Sequence, residues 1–348
     1  MKKVCLLLFL FTFSPFHPFT FSSFLCMAQE GRIVERLSID TRADFEHTRL
    51  QGDVIDEACG FKGKNLNVIA SGQLTDRFSY FLRQRLNKAA LNGEFFNATD
   101  RVYLDYKLSD KMTLRAGKQT IAIGGFEYDR SSIDLYLYSE YLYNVSCYAW
   151  GGSLLYDPTP HDQLIFQVTE SMFGNLLDLS NVYSWNVMWY GSHGLWKTTW
   201  SANLTEWQKN HYISYLCFGN KFQLGRQVNL EVDFMNRAAS GQTFLFRDCS
   251  IVSQLNYQPI ESLNVFAKAT YDVNRTTTDA DYLVRPGTEI KSLCAGVEFF
   301  PLGDNRIRFH ATGGYAFGTN TNPDGTLLDK KAMVDLGVTW RVNIRMKN

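Results

Sequence analysis

The sequence predicts an all-β protein, a transmembrane antiparallel β-barrel of about sixteen strands, and three observations predict it. Apolar residues recur at every second position through most of the chain, the links between such segments alternate short and long, and aromatic residues are abundant at 15% and dispersed instead of clustered. A sandwich would also alternate, but it hides its apolar face in one core. Sixteen alternating strands with a polar second face suit a closed sheet whose oily side meets lipid.

The N-terminus reads as an export signal. Met1, Lys2 and Lys3 supply the positive start, Val4 to Phe13 an apolar stretch too short to span a bilayer, and Cys26-Met27-Ala28 a small-residue cleavage site. Residues 1–28 are therefore expected to be a signal peptide and 29–348 the barrel, in the outer membrane of a Gram-negative bacterium. Lipidation of Cys26 is disfavoured by Leu25, which stands where a small side chain is wanted. Beyond the signal there is no run of about 18 apolar residues, so no spanning helix is expected.

Without Lys2 and Lys3 the chain carries 33 basic and 35 acidic residues, a balance that gives no reason to expect a nucleic-acid partner. Cys59, Cys147, Cys217, Cys249 and Cys294 are far apart, with no pair at zinc or redox spacing, and read as small apolar fillers.

The clearest strand is the last. Val334, Leu336, Val338, Trp340 and Val342 alternate with Asp335, Gly337, Thr339 and Arg341. Leu263 to Asn274, Arg306 to Ala311 and Gln227 to Phe234 repeat the pattern. Walking the chain gives strands near 33–47, 62–71, 77–87, 101–108, 112–119, 147–157, 162–170 and 182–191, then 195–205, 211–222, 226–236, 243–257, 262–274, 289–300, 305–318 and 331–344. Short links at Gly72 to Asp76, Ser109 to Lys111, Asp157 to Asp162, Ser192 to Gly194, Leu224 to Arg226, Pro259 to Glu261 and Pro301 to Asn305 hold the Gly, Pro, Asp and Ser of tight turns. Longer links fall between them, as in outer-membrane barrels, and the longest, Thr120 to Ser146, is the third on the external side.

A barrel of this size leaves a water-filled interior, so function is expected in the lumen. Alternation turns Arg83, Arg85 and Arg115 inward on neighbouring strands, a basic wall. The third external loop carries Glu127, Asp129, Asp134 and Glu140 against Lys118 and Arg130. Folded inward, it would set an acidic lip opposite the arginines and a transverse field across a narrow slit. The same arginines could instead pair with neighbouring carboxylates and brace the wall. Paired tryptophans such as Trp185 and Trp189, or Trp196 and Trp200, read as outward interfacial girdles.

No spacing recommends catalysis. The histidines are scattered, and GxSxG, HExxH, P-loop and dinucleotide fingerprints are absent. His211 with Ser214 is the nearest pair that an outer-membrane phospholipase could use.

The stretch from Arg101 to Phe126, with Val102-Tyr103-Leu104-Asp105-Tyr106, Leu114-Arg115-Ala116-Gly117-Lys118-Gln119 and Gly124-Gly125-Phe126, resembles the phosphate-selective porin O and P family, as does Ser79 to Arg85 upstream. The resemblance implies a sixteen-stranded, trimeric porin with its third loop in the lumen, passing small hydrophilic solutes or inorganic ions without cofactor, metal or catalysis. It carries over Arg83, Arg85, Arg115 and Lys118 as pore-lining, with Glu127, Asp129, Arg130 and Asp134 as the loop's part of the constriction. This loop is net acidic, and Ile121-Ala122-Ile123 stands where the family has a Lys-Pro-Phe type run, so the resemblance leaves phosphate open among the anions. A barrel plugged by its loops is the alternative.

Overall fold

A computed structural model describes residues 33–88, 95–174 and 176–344; the expected signal peptide, 1–28, lies outside the described residues. The chain runs up and down through β1 (Arg36–Leu50), β2 (Asp53–Val54), β3 (Gly60–Gln73), β4 (Phe78–Arg85), β5 (Thr99–Ser109), β6 (Met112–Thr120), β7 (Tyr148–Thr159), β8 (Asp162–Glu170) and β9 (Tyr183–His193). It continues through β10 (Trp196–Gln208), β11 (His211–Gln223), β12 (Val228–Ala239), β13 (Asp248–Ile260), β14 (Leu263–Asn274), β15 (Glu289–Phe299), β16 (Ile307–Thr319) and β17 (Lys331–Ile344). β2 is a two-residue stub folded back on β1. The other sixteen strands form the wall, antiparallel throughout, and β17 pairs with β1 from Leu37↔Ile344 to Leu50↔Lys331 to close it.

Closure is what a lipid environment demands, because an open sheet edge in hydrocarbon would leave its N–H and C=O groups unpaired. The side chains follow the same logic. On β17 Val334, Leu336, Trp340 and Val342 are exposed while Asp335 and Thr339 between them are buried; on β1 Ser38, Asp40, Arg42 and Asp44 are the buried set. The wall is apolar outside and polar inside, the inverse of a water-soluble barrel.

The expected strands all form, with ends shifted by a few residues. One external link departs from the long-loop pattern: β10 and β11 are joined only by residues 209–210, with Asn210 in the left-handed region at φ 62°. Asparagine tolerates that conformation, which makes the tight turn possible. At the opposite end of these strands Trp189, Trp196 and Trp200 cluster on the outer face, Trp189 and Trp200 with ring centroids 5.2 Å apart. Their indole N–H groups donate to Asp162 at 2.9 Å and Asn220 at 3.1 and 3.2 Å, so the apolar rings can face lipid while the polar tips stay satisfied.

Two apolar clusters are buried. One joins Ile121, Ile123, Tyr128, Leu135, Tyr141 and Leu142 to Ile213, Tyr215 and Cys217 of β11 and to Leu283 and Val284; the other joins Leu137 to Phe266, Ile290, Cys294 and Leu327. Both draw on the segment after β6, which therefore packs against the inner face.

Leu336 tests the lipid-facing register, since it sits mid-strand and outward. Leu336→Arg should lower the unfolding free energy of the bilayer-inserted barrel by about 2–4 kcal/mol, read by denaturant titration, and an unchanged midpoint would place that face out of lipid.

Candidate functional site: a constriction inside the barrel

The third external loop, L3, follows Thr120 and turns straight onto the inner wall. The N–H groups of Gly124 and Gly125 donate to Ser201 Oγ at 2.8 Å and Thr199 Oγ1 at 2.9 Å. A Cβ on Gly124 would stand 2.3 Å from the Thr199 carbonyl oxygen, and Gly125 has φ +107°, so two glycines are needed where backbone lies flat on backbone. Directly after them comes α1 (Phe126–Asp129), whose first N–H groups, those of Phe126 and Glu127, both donate to the Asp233 carboxylate of β12 at 2.8 Å. L3's later helix, α2 (Glu140–Asn144), has Ser139 as its cap, and its Glu140 N–H donates to Asp272 of β14 at 3.0 Å.

Between these helices the loop crosses to the other walls. Asp134 accepts from Arg308 of β16 and Arg341 of β17, each at 2.6 Å. Arg42 of β1 donates to the Leu135 carbonyl, and Asn65 of β3 to Ser132 Oγ at 3.2 Å. Glu127 is held by Lys268 of β14 at 2.6 Å and by the Ser139 N–H at 2.9 Å. Arg130 reaches Glu231 of β12 and, at 2.7 Å, Gln254 of β13. Burial raises the Asp134 carboxyl, and Arg308 and Arg341 more than reverse it, holding the group below the usual carboxylate range.

What L3 leaves uncovered is the inner face of β4 to β6. There Phe81, Arg85, Arg101, Tyr103, Asp105 and Arg115 are only half-buried, whereas the inward polar residues of β10, β12, β14 and β16 are nearly all buried. Arg83 and Arg85 share Asp100, at 3.3 and 2.8 Å. Arg115 makes a two-pronged bond to Asp105, at 2.8 and 2.9 Å, over the Tyr103 ring at 4.0 Å. Arg101 has no carboxylate partner among the described residues and lies over Phe81 at 4.5 Å, with Phe81 stacked on Tyr103. Four arginines thus face two aspartates. Across from them Asp129 of L3 accepts from Tyr190 of β9 at 3.0 Å, and burial raises its carboxyl above the usual range.

The expected residues therefore divide. Arg83, Arg85 and Arg115 are on the basic inner wall, and Asp129 lies on L3 beside them. Glu127, Arg130 and Asp134 are brought to other walls, where they anchor L3 instead of forming a lip. Lys118 is a correction. It pairs with Val102 and Trp150, so it falls on the outer face, and its ammonium donates to the Phe96 carbonyl at 2.8 Å. Arg101 was not among the expected residues although the signal was present: it shares the two-residue period of Tyr103 and Asp105. His211 rests on Trp207 at 5.6 Å, and Ser214 shares a register pair with outward Leu204.

Residues 36–183, which supply most of this wall and all of L3, match the sequence model of the phosphate-selective porin O and P family. That match spans 148 of the 348 residues, a little under half of the chain. The family so matched is one of porins, and the fold of the whole chain is that of an outer-membrane porin barrel. Solved structures agree on the fold. OmpT of Vibrio cholerae superposes with a TM-score of 0.61 over 88% of this chain and 97% of its own at 12% identity, and the outer-membrane channel DcaP of Acinetobacter baumannii with 0.59 over 88% and 96% at 9%. A mutant of Rh. blastica porin gives 0.54 over 88% and 100% at 12%. No curated protein matches the chain in sequence.

Two outcomes follow from the anchoring. Asp233→Ala removes the acceptor of two α1 N–H groups and should cost about 1–3 kcal/mol of stability while widening the conductance steps in planar bilayers; narrower steps would contradict the anchor. The Asp134 anchor, with its depressed carboxyl, is in place above about pH 4 and lost as pH falls through the lowered value. Current noise should therefore rise below that pH in the porin, and Asp134→Asn should show the same noise already at pH 6.

Proposed function

We propose that this porin passes small anions by passive diffusion along the β4 to β6 wall, and that it does so as a trimer. The observation that carries the reading is the charge imbalance of this wall: Arg83, Arg85, Arg101 and Arg115 against Asp100 and Asp105, with Arg101 in no ion pair among the described residues. A fixed positive excess in a narrow polar passage raises the local concentration of anions and repels cations. Phosphate is one anion of suitable size and charge, and the family description points to it; guanidinium groups with aromatic neighbours suit oxyanions generally. The trimer follows the assembly of a similar structure, an OmpT described as a trimer form.

A closed barrel is the second reading, favoured by the anchors that tie L3 to β1, β3, β10, β12, β14, β16 and β17 and by the apolar clusters beneath it. One experiment separates the two. Folded porin in a planar bilayer should give discrete steps with a reversal potential toward the anion in a salt gradient, and silence would favour the plug. Arg101→Glu changes the local charge by two units at about 1 kcal/mol per unit at close range in water. It should lower the anion-to-cation permeability ratio about fivefold or more, and an unchanged ratio would move the path away from this wall.

A further inference from the structure

A second cluster of chemistry-bearing groups lies on the inner wall away from the arginine path. His310 Nε2 of β16 stands 3.3 Å from Asp335 Oδ1 of β17 and 3.4 Å from Asp44 Oδ1 of β1. All three ligand atoms lie within 4.8 Å of one another. The three side chains meet above Gly337, which pairs with both Asp44 and His310; a Cβ there would sit 2.2 Å from Asp44 Oδ1 and 2.7 Å from His310 Nε2. The glycine makes the space in which they converge. His310 and Asp44 side chains are fully buried and Asp335 is 12% exposed, so the cluster opens through Asp335 alone.

The surroundings of the cluster bear on what it could hold. Arg42 holds the outer carboxylate oxygens, 2.7 Å from Asp44 Oδ2 and 2.8 Å from Asp335 Oδ2, and also donates through Nε to Asp44 Oδ1 at 3.0 Å. That leaves two buried carboxylates sharing one guanidinium, with His310 Nε2 aimed at the Oδ1 of each. His310 Nδ1 is buried with no hydrogen-bond partner among the described residues, so the ring is held by Nε2 and its contact with Tyr136 of L3 at 4.7 Å. Tetrahedral bonds of about 2.0–2.1 Å place neighbouring ligand atoms about 3.3–3.5 Å apart, which is the spacing of His310 Nε2 from each of the two carboxylates.

We propose that Asp44, Asp335 and His310 form a divalent transition-metal site, fitted to zinc, with a water completing four-coordination. Arg42 orients the two ligating carboxylates from behind, as outer partners of metal ligands do. The same guanidinium donates to the Leu135 carbonyl and lies over Tyr136 at 4.7 Å. A bound ion would therefore stiffen the stretch of L3 that rests on β1, β16 and β17.

The test is retention of zinc by full-length folded porin after incubation with zinc ion and desalting, measured as metal per chain, with folding checked by heat-modifiable migration. One zinc per chain is expected, lost in His310→Ala with a fall in affinity of at least about 100-fold, and kept in His193→Ala, which removes the exposed pair of His193 with Asp162. Asp335→Asn is the second variant should His310→Ala not fold. Zinc absent from the folded porin, or equally retained by His310→Ala and Asp335→Asn, would overturn the site.

Discussion

Everything inside this barrel depends on the absence of water outside it. In hydrocarbon no backbone N–H or C=O can go unpaired, so the sheet must close, and β17 on β1 closes it. Closure around sixteen strands makes an interior too wide for side chains alone to fill. The inner face then has to be polar enough to hold water, and any loop that enters must find partners for its own backbone there.

L3 shows how that second condition is met. Its irregular backbone lies at the depth of the strands, where such chain is tolerated only inside protein or against water. The wall supplies the missing partners as charged side chains aimed at main-chain groups: Asp233 and Asp272 receive N–H donors, while Arg42 and Arg308 donate to carbonyls of Leu135 and Ile133. Buried ion pairs are weak sources of net stability, because desolvation offsets most of their attraction. What they do provide is a path. Each contact that L3 loses leaves a buried charge alone, so one route across the lumen is favoured over the many that a polar loop could take.

The barrel was legible in the sequence because one physical rule, alternation, acts independently on every strand. Errors arose where alternation was not carried through and where more than alternation was needed. Lys118 was read as part of the third loop's charges and again from the family resemblance, yet counting by two from inward Arg115 places it outside, where the structure has it. Arg101 obeys the same count and was missed because it stands at a strand start, where register is least certain. The short link after Gln208 depends on Asn210 alone adopting a left-handed turn. The destinations of Glu127, Arg130 and Asp134 were not legible, since a loop charge can reach any wall and only the fold brings Lys268, Glu231 and Arg308 within range of each.

That sorting of charges also explains how a nearly neutral chain can hold the one-signed passage we propose. Acidic and basic residues are close to balanced in number, and the inward face carries both. L3 is acidic, and its carboxylates Glu127 and Asp134 are neutralised by Lys268, Arg308 and Arg341 on the walls it covers. Wall carboxylates Asp233 and Asp272 are likewise taken up, by its N–H groups. The arginines of β4 to β6 lie beyond the reach of those acids and are left with Asp100 and Asp105. A loop that neutralises one side of the lumen thereby exposes the sign of the other, so on this proposal the selectivity of the passage is set by where L3 is anchored as much as by which residues line the water.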